Sequence, residues 1–414
     1  MAKRTVLISG GGIAGSALAY WLHRFGFGVT VVEQAASPRP GGQAVDLRGA
    51  ARVVTERMGL LDAVRSVAVE QAGIAWVRAD GSIGARMPAD AFGGEGIVSE
   101  IEVLRGDLAR VLHGSTADTV EYVFGDAVAG LEQDGDGVTV SFERGAPRRV
   151  ELVVGADGPH SGVRRLGVDP GGRSVRPIGL ATSWFTVPAE IDLDGWFLMY
   201  NEPGGLVATV RPGRLPAEHK AGLSFRTHPA AVLPHDVEGQ RRLVTERLGG
   251  AGWEVPRLLR GMAEATDFAF DGMAQVRLDS WSRGRVVLLG DAAWCPTPLS
   301  GLGTSLAVVG AYVLAGELAA ADGDPAVAFR RYEEVLRAYV DGAQQLPPGG
   351  AGGFAPVRAL DIRLRMASMR MMTRWPLRQL IAKQFDKAGA IELPDYDAGS
   401  STITGMRRPP VHSA

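Results

Sequence analysis

An apolar run, Thr5 to Ser9, leads into Gly10-Gly11-Gly12-Ile13-Ala14-Gly15, and a second apolar run ends on Glu33. No other feature restricts the fold as much. The order reads as strand, tight turn, helix from about Gly15 to Phe25, and strand from Val29 to Val32, a unit that builds parallel sheets with right-handed crossovers. Each glycine has its own reason. Gly10 permits the turn, Gly12 lets a pyrophosphate approach the backbone, and Gly15 lets helix and strand pack closely. The helix start at Ile13 and Ala14 offers free N–H groups and a positive dipole end, while Glu33, followed by Gln34, stands where ribose hydroxyls donate.

This motif suits NAD and FAD equally, and its acidic residue disfavours a 2′-phosphate at that position. The rest of the chain excludes several classes. With 414 residues and a net charge of −2, it can bury a large core and presents no field that would collect nucleic acid or an anionic membrane. Cys295 is the single cysteine, so an intramolecular disulfide and cysteine-clustered metal sites are excluded and a cytoplasmic location is expected. Glycines interrupt the apolar N-terminus, which argues against a signal peptide, and no uninterrupted apolar run reaches the roughly 18 residues of a membrane span. His113, His160, His219, His228 and His235 lack partners at a metal-binding or catalytic spacing, so no metal site is predicted.

Alternating runs from Val120 to Val154, with a hairpin turn at Gly135-Asp136-Gly137, predict an antiparallel insert. The stretch from Pro177 to Thr227, rich in Trp, Phe and Val, predicts a mostly β unit, and helix-forming composition returns from Asp236 to Leu248. A strand from Val286 to Leu289 precedes Gly290-Asp291 and a small-residue helix from Gly303 to Ala320. After the breaker at 346–353, Arg358 to Phe385 predicts a terminal helix that Trp375-Pro376 kinks or ends. It reads better as a solvated helix packed on the protein than as a membrane-surface helix.

Two further strand ends carry a carboxylate where open α/β sheets bind ligands. Leu152 to Gly155 leads into Ala156-Asp157-Gly158, with Ser161 and Arg164 behind it. Val286 to Leu289 leads into Gly290-Asp291, and Pro298-Leu299-Ser300-Gly301-Leu302-Gly303 then offers bare backbone at a helix start. One glycine fingerprint, one Asp-Gly motif and one Gly-Asp motif in this order resemble the class A FAD-dependent monooxygenases of the para-hydroxybenzoate hydroxylase family, over about residues 4 to 320. Gly41 to Gly49 and the chain length resemble the tetracycline-modifying and aromatic polyketide hydroxylase branch.

The resemblance implies an α/β fold: a Rossmann-like FAD-binding domain with parallel sheet and β-meander, a mostly β substrate domain and a C-terminal helix. The expected division is 1–73, 98–175 and 276–345 for FAD, 74–97 and 176–275 for substrate, and 346–414 for the C-terminal segment. FAD, bound without a covalent link, would be held by Gly10, Gly12, Ile13, Ala14, Gly15, Glu33, Gln34, Asp46, Arg48, Arg105, Asp157, Gly290, Asp291, Pro298, Gly301, Leu302 and Gly303. NAD(P)H would be the co-substrate, and the flavin C4a-hydroperoxide rather than a side chain would carry the chemistry.

Trp184, Trp196, Met199 and Arg211 are the candidates for contact with an aromatic or polyketide-like substrate, in antibiotic biosynthesis or resistance. The chain departs from the family at Trp294, Leu302 and Ser305, where His, Gln and Asn are frequent. Those departures keep open a non-oxygenating reductase or cyclase, or an inactive flavin-binding protein. A monomer or weak homodimer is expected.

Overall fold

The computed structural model describes residues 3–39, 41–91, 99, 101–372 and 389–396. Trp375, Pro376 and the expected helix beyond Met372 lie outside the described residues.

The N-terminal unit forms as read. Strand Thr5–Ser9, helix Ile13–Arg24 and strand Gly28–Glu33 follow one another, and the two strands pair in parallel. They sit at the centre of a six-stranded sheet ordered Ser282–Arg283, Val286–Leu288, Leu152–Gly155, Thr5–Ser9, Gly28–Glu33 and Glu121–Phe124. All pairings are parallel except that of the two-residue edge strand Ser282–Arg283. Leu7, Ile8, Val31, Val153, Val154, Val286 and Val287 are fully buried, as strands covered on both faces require.

The antiparallel insert is shorter than the Val120–Val154 expectation. Only Val128–Gln133, Val138–Phe142 and Arg148–Val150 form it, whereas Glu121–Phe124 and Leu152–Gly155 belong to the parallel sheet. Alternation in sequence says that one face is less buried, not which neighbour a strand takes. The predicted turn is present: the Asp134 carboxylate accepts from the N–H groups of Asp136 and Gly137 at 2.8 and 3.0 Å.

Helix Gly303–Ala320 covers the parallel sheet beside the first helix, with Trp21 and Tyr312 edge to face at 4.8 Å. By length and composition it could cross a membrane, but 78% of it is buried inside the protein, which is the condition of a core helix. Helix Pro325–Ala343 packs outside it.

The second large sheet has seven strands, ordered Ala269–Val276, Val175–Pro188, Glu218–Arg226, Leu206–Pro212, Trp196–Glu202, Gly73–Val77 and Ile83–Pro88. Its pairings are antiparallel except between Trp196–Glu202 and Gly73–Val77. Helices Val237–Leu248, capped by Asp236, and Val255–Glu264 cover one face through Phe185, Leu223, Phe225, Val244 and Leu258. The other face carries Ile74, Trp76, Met199, Val207 and Met273, against which Leu299, Phe354 and Met366 pack. Helix Ala359–Met372 supplies Met366.

Candidate functional site

Because the parallel strands run the same way, Ser9, Glu33, Gly155 and Leu288 all end at one edge of the sheet. The fingerprint glycines occupy that edge for different reasons. Gly10 has φ +106°, and a Cβ there would meet the Ala156 carbonyl oxygen at 2.5 Å. A Cβ on Gly15 would overlap the Gly10 carbonyl oxygen. Gly12 has neither reason: its backbone is extended at φ −74° and ψ −165°, and a Cβ would meet nothing within 4 Å. Packing does not require glycine there, so the open space in front of it fits an incoming ligand.

The helix behind Gly12 has no side-chain cap and no acidic residue in its first turn. The N–H groups of Ile13, Ala14 and Gly15 therefore have no intrahelical acceptors, the arrangement that binds pyrophosphate. Glu33 accepts from the N–H groups of Gly11 and Ala35, both at 2.8 Å, which fixes the carboxylate beside the turn with lone pairs to spare. Gln34 is exposed next to it.

The other two motifs meet through Arg164. Its buried guanidinium donates to the carbonyls of Ala292 at 2.9 Å and Pro159 at 2.6 Å, tying the Asp-Gly turn to the Gly-Asp turn. Asp157 serves this turn internally, accepting from Ser161 Oγ at 2.5 Å and from the N–H groups of Gly162 and Val163. Asp291 follows Gly290 at the strand end. Burial pushes its carboxyl above the usual range, and nearby Arg105, exposed at the start of helix Arg105–Gly114, draws it back.

The loop Pro298 to Gly303 is bracketed by two carboxylates. A Cβ on Gly303 would lie 3.7 Å from Asp291 Oδ1, and one on Gly301 would lie 3.3 Å from Asp46 Oδ2. Pro298 is exposed, whereas Leu302 is buried in the core below. Arg48 donates to Asp46 Oδ2 at 2.8 Å, and its own N–H donates to Ser305 Oγ at 3.1 Å.

The three departures thus have structural places. Ser305 anchors the Arg48 backbone, Leu302 fills the core, and Trp294 stands edge to face with Trp281 at 4.5 Å. Cys295 is buried, and its desolvation pushes the thiol far up, which leaves it inert.

On the seven-stranded sheet, the register sets Trp184, Gly222, Thr209, Met199 and Trp76 side by side in one row. Registered neighbours share a face, so Trp184 and Met199 stand on the face that Leu299 reaches. Arg211, two residues from Thr209, shares it and lies over the Phe197 ring at 4.4 Å. Trp196 does not join them. It packs toward the helix-covered face, with Arg86 over its ring at 4.8 Å.

Sequence reasoning passed over two residues. Glu102, buried in the strand Glu102–Leu104, pairs with both Arg211 and Gln71. A charged residue inside an apolar strand was its only signal. Thr297, just before the loop, holds φ +77° with its hydroxyl buried and unpartnered, an arrangement that a β-branched residue adopts at a cost. Nothing local announces it. Among the described residues, no group of three metal-ligating side chains converges.

Residues 3–330 match the family model described as an FAD binding domain. A flavin-dependent monooxygenase from an unknown prokaryotic organism is 37% identical over 392 residues, covering 95% of this chain and 98% of the relative. The chain belongs to the FAD-dependent monooxygenases. An uncharacterized protein of Mycobacterium tuberculosis is 42% identical over 355 residues, 86% of this chain and 95% of its own. The crystal structure of tetracycline destructase Tet(51) superposes with a TM-score of 0.80 at 31% identity, covering 96% of this chain and 100% of that one. The match to an FAD binding domain makes FAD the cofactor of this chain.

Proposed function

We propose that this monooxygenase uses NAD(P)H and dioxygen to hydroxylate a polycyclic phenol or polyketide-like compound of the tetracycline type. The observation that carries the reading is the apposition of the sheet face bearing Trp76, Met199 and Val207 with Leu299 of the glycine-bracketed loop. The apolar and aromatic side chains of that face suit a flat, largely apolar ligand, and Arg211 supplies a charge at the same face. The similarity to a tetracycline destructase over the full length supports the substrate class.

In this reading the ADP half of FAD rests on Gly10, Gly12, Ile13, Ala14, Gly15, Glu33 and Gln34. Arg105, Gly290 and Asp291 would serve its central part beside the turn that Asp157 holds, and Asp46, Arg48, Pro298, Gly301, Gly303 and the Leu302 backbone would border the ring. Bound FAD would supply the redox chemistry, hydride acceptance from NAD(P)H and insertion of one atom of O2 into the substrate with the other leaving as water. The chain's own part is positioning. The bare N–H groups behind Gly12 hold charge on the cofactor, the loop backbone faces the ring edge, and the apolar wall excludes water. The FAD domain comprises 1–73, 98–175 and 276–345, the substrate domain 74–97 and 176–275, and the C-terminal segment 346–414. The single buried cysteine supports a reducing, cytoplasmic setting.

The test is NADPH addition to the purified yellow protein with and without tetracyclines. Faster flavin bleaching and, in air, a product heavier by one oxygen atom are expected. Compound-stimulated NADPH oxidation without any oxygenated product refutes the proposal.

A further inference from the structure

The short ladder between Ala44–Asp46 and Glu102–Leu104 sets Asp46 directly opposite Glu102. Both side chains are almost wholly buried, with 13% and 4% exposure. Two ionised carboxylates so placed repel strongly in a low-dielectric setting. The hydrogen-bond pattern shows how this is relieved. Glu102 Oε2 accepts from Gln71 Nε2 at 2.7 Å and from Arg211, and Asp46 Oδ2 accepts from Arg48 at 2.8 Å. Asp46 Oδ1 is buried with no donor among the described residues. The carboxyl beside it is Glu102, whose Oε1 takes no hydrogen bond from Gln71 or Arg211.

We propose that Asp46 and Glu102 hold one proton between them, and that Glu102 is a positioning residue that fixes Arg211 on the substrate-facing sheet. Among the described residues the charged groups facing Glu102 are Arg211 from the strand Leu206–Pro212, Asp46 from its ladder partner, and Arg48 beyond it. Among the described residues Arg211 Nε is buried without a partner, so a donor remains for an acidic oxygen of the ligand. That donor suits an ionisable hydroxyl, as in an enol or a phenol. Burial and the neighbouring Asp46 push the Glu102 carboxyl up to about 8, against the pull of Arg211.

The role of Arg211 toward a ligand rests on the substrate-wall reading above, but the shared proton does not, and it is tested without substrate. Infrared spectra of the FAD-loaded protein in D2O should show a protonated-carboxyl C=O band at neutral pH that Glu102→Gln removes. The band should fade as pH rises through about 8. The amide of Glu102→Gln donates to Asp46 as the protonated acid does, so this variant should keep the wild-type melting temperature near neutral pH. Above pH 8 it should melt higher than wild type, which must then bury two carboxylates. Wild type that shows no band removable by Glu102→Gln overturns the proposal. So does a Glu102→Gln protein that melts below wild type at every pH with an unchanged pH slope, because that is the behaviour of a broken ordinary ion pair.

Discussion

Replacing Gly12 by alanine separates what the fold needs from what the cofactor needs. The backbone at Gly12 is extended, and an added Cβ meets nothing within 4 Å. The unfolded chain loses freedom worth about 0.4–1 kcal/mol, against a comparable preference for glycine over alanine at a helix N-cap, so apo-protein stability should change by less than about 1 kcal/mol. In the proposed FAD complex the methyl would stand where the pyrophosphate approaches the bare N–H groups. Loss of one hydrogen bond to a charged group costs about 1.5–3 kcal/mol, equivalent to a Kd for FAD weaker by about 10- to 150-fold.

The assay is titration of apo-protein with FAD, followed by quenching of flavin fluorescence, alongside urea unfolding of the apo-protein. Gly15→Ala is the control, because its Cβ runs into the Gly10 carbonyl and should destabilise the apo-protein itself by about 1–3 kcal/mol or more. A Gly12→Ala protein that binds FAD like wild type, or that loses as much apo stability as Gly15→Ala, refutes the assignment of Gly12 to the cofactor.

Trp294→Ala should cost about 3–5 kcal/mol in urea unfolding, because Trp294 is fully buried between Trp281 and Tyr332; a near-neutral result would show that the site collapses around the cavity. Arg164→Met should cost about 2–3 kcal/mol by leaving the Ala292 and Pro159 carbonyls unpaired, and should weaken FAD binding because it unties the two carboxylate turns. Unchanged FAD affinity in a stable Arg164→Met protein would contradict that coupling. Tyr396→Phe removes the 2.7 Å hydrogen bond to Glu317 on the core helix and should cost about 1–3 kcal/mol by calorimetry. For Glu102, the folded-state value near 8 lies above the ordinary 4.5, so its stabilising contribution is complete below pH 4.5 and lost as pH rises through about 8. Unfolding free energies measured across that window should fall with pH in wild type, and the slope should be smaller in Glu102→Gln.

How much of this was legible depends on the range of the contacts involved. Strand, glycine turn, helix and Glu33 lie within 30 residues, and the turn's steric demands are local, so the motif and its orientation could be read directly. The Asp-Gly and Gly-Asp turns were legible for the same reason, as was helix Gly303–Ala320. What joins them was not. Arg164 reaches Ala292 across 128 residues, and Arg48 meets Ser305 across 257. No periodicity carries that information.

Faces were decided only by pairing. Trp184 and Met199 share a row because four strands take a particular register, while Trp196 faces away because side chains alternate along a strand. Glu121–Phe124 alternates like its antiparallel successors yet joins the parallel sheet, since the free edge of Gly28–Glu33 was available to it. Glu102 became a candidate only when the ladder set it against Asp46 and the sheet brought up Arg211. The sequence alone therefore established a dinucleotide fold, its glycine turn and two further carboxylate turns, all products of short-range sterics. The tertiary structure decided which side chains face the flavin loop and how buried charges are balanced, because long-range register and burial set those.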